Sequence, residues 1–396
     1  MKFHLGNYLS LFLIFSSTII ATSVIAESHN CSSLNNNLET VETFHEIISY
    51  EQMISLFEEL NETYSDIFSF RSLGKTYQGR DIWLVKISDN VGVDEEEPGV
   101  LLLGAHHGIE YPSYEVLVDF IKHIVTNYSK ENTDDDLDGF VNEDILDNVD
   151  NDEDGLIDED PSEDRVRDVV NNNQIFLIPM VNPDGVVAGT RKNCEPNYGP
   201  FGFRKKVTSI GVDLNRNYGY KWYRWFFTPF YYLMMSQLRD EEYFYRGERP
   251  FSEKETQAVK SFVESHNINI SLSYHTGTNM TMYPWYYSML PTRDESLYIS
   301  VGSNLSKINM LRLVGRDYFL GYRGASGTYE DWAYGRHGIL SFCIELPGIF
   351  TLDDFTNYYR AQKGANLYVC EIAGSINTQQ RQMIDNFGGI SLGRLI

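Results

Sequence analysis

The stretch Val100-Leu-Leu-Leu-Gly-Ala-His-His-Gly-Ile-Glu110 constrains the fold of this chain more than any other. A short apolar run bounded by glycine reads as a buried strand. It ends abruptly in an imidazole and a carboxylate three residues apart, His107 and Glu110. A buried strand delivers its last residues rigidly, so the turn beyond it can aim both groups at one point. Zinc accepts such donors at about 2.0–2.2 Å, and a catalytic zinc needs a third protein ligand and an open position for water. Only His107 fits the spacing, because three residues past His106 lies Ile109.

Four further segments follow in order. Ile178-Pro-Met-Val-Asn182-Pro183-Asp184-Gly185 is a strand running into a turn. Gly211-Val-Asp213-Leu-Asn215-Arg216-Asn217-Tyr218 clusters amide, guanidinium and carboxylate groups. Ile270-Ser-Leu-Ser-Tyr-His275 is a second strand ending in histidine, with Tyr283-Pro284 beyond it. Asp331-Trp332 precedes Leu340-Ser-Phe-Cys-Ile-Glu345-Leu-Pro, an apolar strand carrying one acid. Together these segments resemble the zinc carboxypeptidase family of the carboxypeptidase A/B type, over about Phe44 to Ala373 with one insertion. The resemblance implies an α/β fold of three layers, a mixed sheet of about eight strands with helices on both faces, spanning roughly 40–375. Ligands in such open sheets gather at strand ends.

The resemblance also implies roles. His107, Glu110 and His275 would be the zinc ligands, a set that suits peptide hydrolysis. Asp213 would hydrogen-bond the first zinc histidine and fix its tautomer. Glu345, thirteen residues after Trp332, would be general base and acid. The oxyanion of the scissile carbonyl needs a cation. Arg191, in Arg191-Lys-Asn193, is preferred for it, with Arg204 in Arg204-Lys-Lys as the alternative. Asn215 and Arg216 match the clamp for a substrate α-carboxylate, since a planar guanidinium binds a carboxylate bidentately. Tyr322 would close over the substrate, although its spacing to Trp332 is one residue longer than the family's. Glu330 aligns with the base of the side-chain pocket, where an acid favours C-terminal Lys or Arg; the extra residue nearby leaves open that it points to solvent instead. Ile109 stands where many members carry an arginine between the ligands, which bears on substrate range more than on chemistry.

Composition sets the remaining bounds. The net charge of −24 argues against nucleic acid as a partner. Residues 131–168 hold eighteen acids against Arg165 and Arg167, a net −16, so the rest of the chain carries only −8. Within this insertion two acidic repeats place Asp134, Asp136, Asp138 and Asp150, Asp152, Asp154 ahead of Gly139 and Gly155. That spacing wraps oxygen donors around Ca²⁺, with glycine allowing the turn. The twelfth positions are Ile145 and Pro161, so these are short Asp-rich loops rather than complete EF-hands. A solvated acidic loop is the plain alternative.

Residues 8–20 form an apolar core after Lys2, and Val24-Ile-Ala26 suits signal-peptide cleavage after Ala26. This predicts a secreted protein, or a membrane-anchored one if the leader stays. Of the four cysteines, Cys31, Cys194, Cys343 and Cys370, sequence cannot choose the pairing. Cys343 reads as a small buried apolar residue rather than a ligand. The expected function is an exported zinc carboxypeptidase acting on peptide or protein C-termini. Action on cell-wall γ-peptides, or an inactive calcium-dependent binding module, are the alternatives. Nothing in the sequence points firmly to an oligomer.

Overall fold

A computed structural model describes residues 47–128, 165–193, 211–222, 244–288, 290–315, 325–348 and 352–376, the first few of the last segment by backbone alone. All fall within one compact unit, Phe44–Ile396. The leader, the Asp-rich repeats, Arg204, Tyr322, Cys31 and Cys194 lie outside the described residues. Among the described residues no helix is long and apolar enough to cross a membrane.

The chain opens with α1 (Tyr50–Thr63), closed at its start by a reciprocal capping box between Ser49 and Gln52. Two antiparallel strands follow, β1 (Phe68–Lys75) and β2 (Asp81–Ile87). Then come β3 (Gly99–Leu103), α2 (Pro112–Tyr128), α3 (Arg165–Asn171), β4 (Gln174–Ile178) and the short α4 (Pro183–Ala188). A single 3₁₀ turn covers Leu214–Arg216. The remaining elements are α5 (Lys254–Ser265), β5 (Ile268–Thr276), β6 (Met280–Met282), α6 (Glu295–Ile308), β7 (Arg312–Val314), α7 (Tyr329–His337), β8 (Leu340–Leu346) and α8 (Leu352–Ala373).

The eight strands form one sheet in the order β1-β2-β4-β3-β5-β8-β6-β7. Its centre, β4-β3-β5-β8, is parallel, and antiparallel pairings flank it. The expected mixed α/β sheet of eight strands is therefore present. Alternation along each central strand sorts side chains to two faces. Val100 and Leu102 of β3, with Ile175 and Leu177 of β4, join a core that includes Phe120, Ile124 and Tyr298. Leu101, Leu103, Phe176 and Ile178 face a second core with Val259, Phe262 and Trp332. Apolar residues on both faces are what a sheet covered by helices on each side requires.

On β5 and β8 the second face turns polar. Leu340, Phe342, Ile344 and Leu346 pack in the first core, so Ser341, Cys343 and Glu345 alternate to the other side. Ser271, Ser273 and His275 do the same beside them, in register Ser271↔Ser341, Ser273↔Cys343 and His275↔Glu345. This polar lane, with α7 against it, leads to the strand ends where the site is built. At the opposite pole Tyr128, ending α2, donates to Asn171 Oδ1 at 3.0 Å, and Arg165, opening α3, pairs with Glu371 of α8.

Candidate active site

Beyond β3 the chain turns sharply. Gly108 lies so close to Gly185 that an added Cβ would sit 2.0 Å from its carbonyl carbon, and this contact fixes the turn carrying His107 and Glu110. Asn182, preceding α4, donates to His106 O at 3.2 Å and to Arg191 O at 3.4 Å, tying the loops after β3 and β4 together.

Donor atoms of His107, Glu110 and His275 all lie within 4.8 Å of one another, and the three side chains are buried. Glu110 Oε1 is 2.8 Å from His107 Nδ1, and Oε2 is 2.9 Å from His275 Nδ1. The two Nδ1 atoms are 3.2 Å apart. His107 Nε2 faces Asp213 Oδ1 at 3.1 Å, so each ring nitrogen meets a carboxylate, and with its one proton on Nε2 a neutral imidazole can donate to Asp213 only. That leaves the Nδ1 lone pair facing a second acceptor, Glu110. A cation between them resolves the repulsion, and the two-nitrogen, one-carboxylate set is one that zinc takes. The residues therefore fit the metal. Burial alone would raise the Glu110 carboxyl, but His107 and His275 outweigh it and hold it well below the usual range.

Asp213 is braced from behind. Arg191 Nε and Nη2 donate to its Oδ2 at 3.1 and 2.9 Å, and Nη1 lies 3.4 Å from Glu110 Oε1. Burial opposes the charge on Asp213, yet Arg191 and His107 keep its carboxyl well below its ordinary value. Arg191, the preferred of the two arginine candidates, thus lies at the metal-type donor set. Arg191 and Arg216 both pack against one ring, Phe244, at 5.4 and 5.5 Å. Asn215 Nδ2 reaches His275 Nε2 at 3.1 Å, while its Oδ1 accepts from Tyr329 N at 2.8 Å. Asn215 is therefore joined directly to His275 and to the start of α7.

Glu345 sits across the ladder from His275. Burial, with Glu110 adding to it, pushes its carboxyl up against the opposing pull of His275, His107 and Arg191. Glu330, from the first turn of α7, is fully buried, and neither of its oxygens has a hydrogen-bond partner. Its neighbour Asp331 accepts from the Tyr286 and Tyr287 amides, and burial pushes its carboxyl up to about 8.

Several supporting residues were not singled out from the sequence. His106 stacks on His275 with ring centroids 5.6 Å apart and reaches Tyr218 Oη at 2.9 Å. Its only signal was adjacency to His107. Asn193 accepts from Val212 N at 2.7 Å and donates to Glu253 and Glu255 at 2.8 and 3.3 Å. It thereby fixes the Arg191 segment against the Asp213 segment. Gly211 closes this junction in a left-handed conformation, φ +83°, where a Cβ would collide with Asn193 O. Cys343 and Cys370 are both buried free thiols.

Comparison with known proteins agrees with this geometry. A zinc carboxypeptidase of Saccharothrix mutabilis subsp. capreolus is 26% identical over 319 residues, covering 74% of this chain and 62% of that protein. Human carboxypeptidase D is 23% identical over 357 residues, covering 84% of this chain and 21% of its own length. The chain thus spans less than two thirds of either relative. The crystal structure of carboxypeptidase A from Helicoverpa armigera superposes with a TM-score of 0.60 at 20% identity, over 83% of this chain and 73% of that one, a likeness of fold. The model of the zinc carboxypeptidase family matches residues 53–357, a span holding His107, Glu110, His275 and Glu345, and the chain belongs to that family.

Proposed function

We propose that this protein is an exported zinc carboxypeptidase that removes the C-terminal residue of peptides, with a preference for Lys or Arg. The observation that carries the reading is the convergence of His107, Glu110 and His275 with Glu345 directly across the ladder from His275. Zinc in such a set acidifies a water and polarises a carbonyl oxygen.

The protein's own groups supply the rest. Glu345 takes the proton of the attacking water and returns it to the leaving amine. Arg191, beside Glu110 and Asp213, presents positive charge to the oxygen that becomes anionic. Asn215 and Arg216 hold the substrate α-carboxylate, which sets the scissile bond one residue inward. Neither Glu330 oxygen is in a well-formed hydrogen bond, so a cationic side chain entering the pocket gains a charge-assisted contact that an apolar one cannot offer. Export rests on the apolar segment 8–20 and the Val24-Ile-Ala26 run.

The test is a residue-release profile on blocked peptides ending in Lys, Arg, Phe or Glu. Zinc-dependent release of single C-terminal residues, fastest for Lys and Arg, is expected. Glu330→Gln should erase that preference by roughly tenfold or more while leaving Phe release nearly intact. Cleavage at internal bonds, or no release from zinc-loaded protein, would refute the activity. An unaltered profile in Glu330→Gln would refute the pocket assignment alone.

A further inference from the structure

His275 has neighbours on two sides. Its Nδ1 faces Glu110 and His107, while Nε2 faces the Asn215 amide. Behind it, in the polar lane, lie Glu330 and Cys343. Donor atoms of His275, Glu330 and Cys343 fall within 4.8 Å of one another, and their residues are 2%, 0% and 3% exposed.

The sequence reading of Cys343 as a small buried apolar residue agrees with its burial but not with this company. A carboxylate this buried without a hydrogen bond is costly. The Ser273 hydroxyl nearby is turned to His106 Nδ1 at 3.4 Å. Glu330 thus lies in the cluster with neither oxygen in a well-formed hydrogen bond, its own amide and the Ser273 hydroxyl being the donors nearby. Beside it stands a thiol in the reduced form. Thiolate, carboxylate and imidazole together select borderline-soft divalent ions, and the sulfur disfavours Mg²⁺ or Ca²⁺.

We propose that His275, Glu330 and Cys343 form a second cation site that takes Zn²⁺ or Cd²⁺ beneath the first donor set. The ion binds the Cys343 thiolate, a Glu330 oxygen and His275 Nε2, and the Asn215 amide swings aside. The thiol proton, and the ring proton from whichever His275 nitrogen holds it, pass to solvent. The charge of the ion matches the thiolate and carboxylate it joins, and the His275 ring, having lost its proton, bridges the two ions as an imidazolate whose charge they share. Because the site uses the Glu330 carboxylate and displaces Asn215, filling it removes two of the contacts proposed for substrate. On that carboxypeptidase reading, the second ion inhibits. The binding itself stands independently of any activity.

The test loads the full protein with one equivalent of Zn²⁺ and titrates Cd²⁺, following thiolate-to-cadmium charge-transfer absorption in the ultraviolet. A band that saturates near one added equivalent is expected. It should vanish in Cys343→Ala, persist in Cys370→Ala, and need at least about tenfold more Cd²⁺ in Glu330→Gln, the loss typical of a perturbed metal site. Peptide release should fall in step with the band. Absence of a band, with Cys343 shown reduced by thiol titration after unfolding, would overturn the site. A band that survives Cys343→Ala, or an unchanged affinity in Glu330→Gln, would overturn it equally. Inhibition without a band would mark displacement at the first donor set and refute the proposed cause.

Discussion

Glu255, in the first turn of α5, offers the clearest quantitative test of how the site is braced. It is fully buried. One carboxylate oxygen accepts from Asn193 at 3.3 Å, and the other has no partner. Burial first, then the charges of Glu253 and Asp184, push its carboxyl up to about 8. In the unfolded chain a glutamic acid titrates near 4.3, so between the two values the folded state holds a proton that the unfolded state has lost. Folding therefore loses stability as pH rises from about 4.3 to about 8, and is level beyond. At 1.36 kcal/mol per pH unit the full span is of the order of 5 kcal/mol, and relaxation around the charge should reduce it to about 2–4. Glu255→Gln keeps a carbonyl for Asn193 and removes the titration. Urea unfolding followed by tryptophan fluorescence should give wild type and variant within about 1 kcal/mol at pH 5, with the variant about 2–4 kcal/mol more stable at pH 8. Equal differences at the two pH values would show that Glu255 is ionised in the fold and refute the reasoning.

Glu345→Gln should lower kcat by roughly 10²–10⁴-fold while leaving one zinc bound, since it removes a proton carrier but no ligand; near-normal turnover would rule out its role. Asp213→Asn removes the anion that holds the His107 Nε2 proton, and zinc affinity in chelator competition should weaken by about 10–100-fold. An unchanged affinity would mean that Arg191 and the fold suffice to orient the imidazole. Calcium should raise the melting temperature by mass action and shield residues 131–168 from proteolysis, leaving small-peptide hydrolysis unaffected. Failure of both effects would dismiss Asp134, Asp136, Asp138, Asp150, Asp152 and Asp154 as ligands.

What the sequence itself makes legible is carried by strands. His275 and Glu345 sit within apolar strands, where period-two alternation fixes both their depth and their face, and His107 and Glu110 follow just past the end of another. The edge strands were not legible. Met280–Met282 and Arg312–Val314 are three residues each, too short to show a period. The bracing was hidden for another reason. Asn193 meets Glu255 and Phe244 meets two arginines only because loops distant in sequence converge. Cys343 looked apolar because its own strand is apolar; the acid facing it arrives from α7. A residue's neighbours along the chain foretell its burial far better than its partners in space.

The clasp of Tyr128 to Asn171, with Arg165 anchored on Glu371, has a practical corollary. The main chain departs and returns through a single gate at the amino-terminal rim of the parallel strands. His107, Glu110 and His275 lie at the other rim, about 17 Å away along a five-residue strand. Once the two sides of a gate are held by the body, each doubling of the tether between them costs only about 0.6 kcal/mol. A change in the length of chain between Tyr128 and Arg165 is therefore expected to cost the fold little in closure entropy. The covalent change itself falls at the rim opposite the one that His107, Glu110 and His275 occupy.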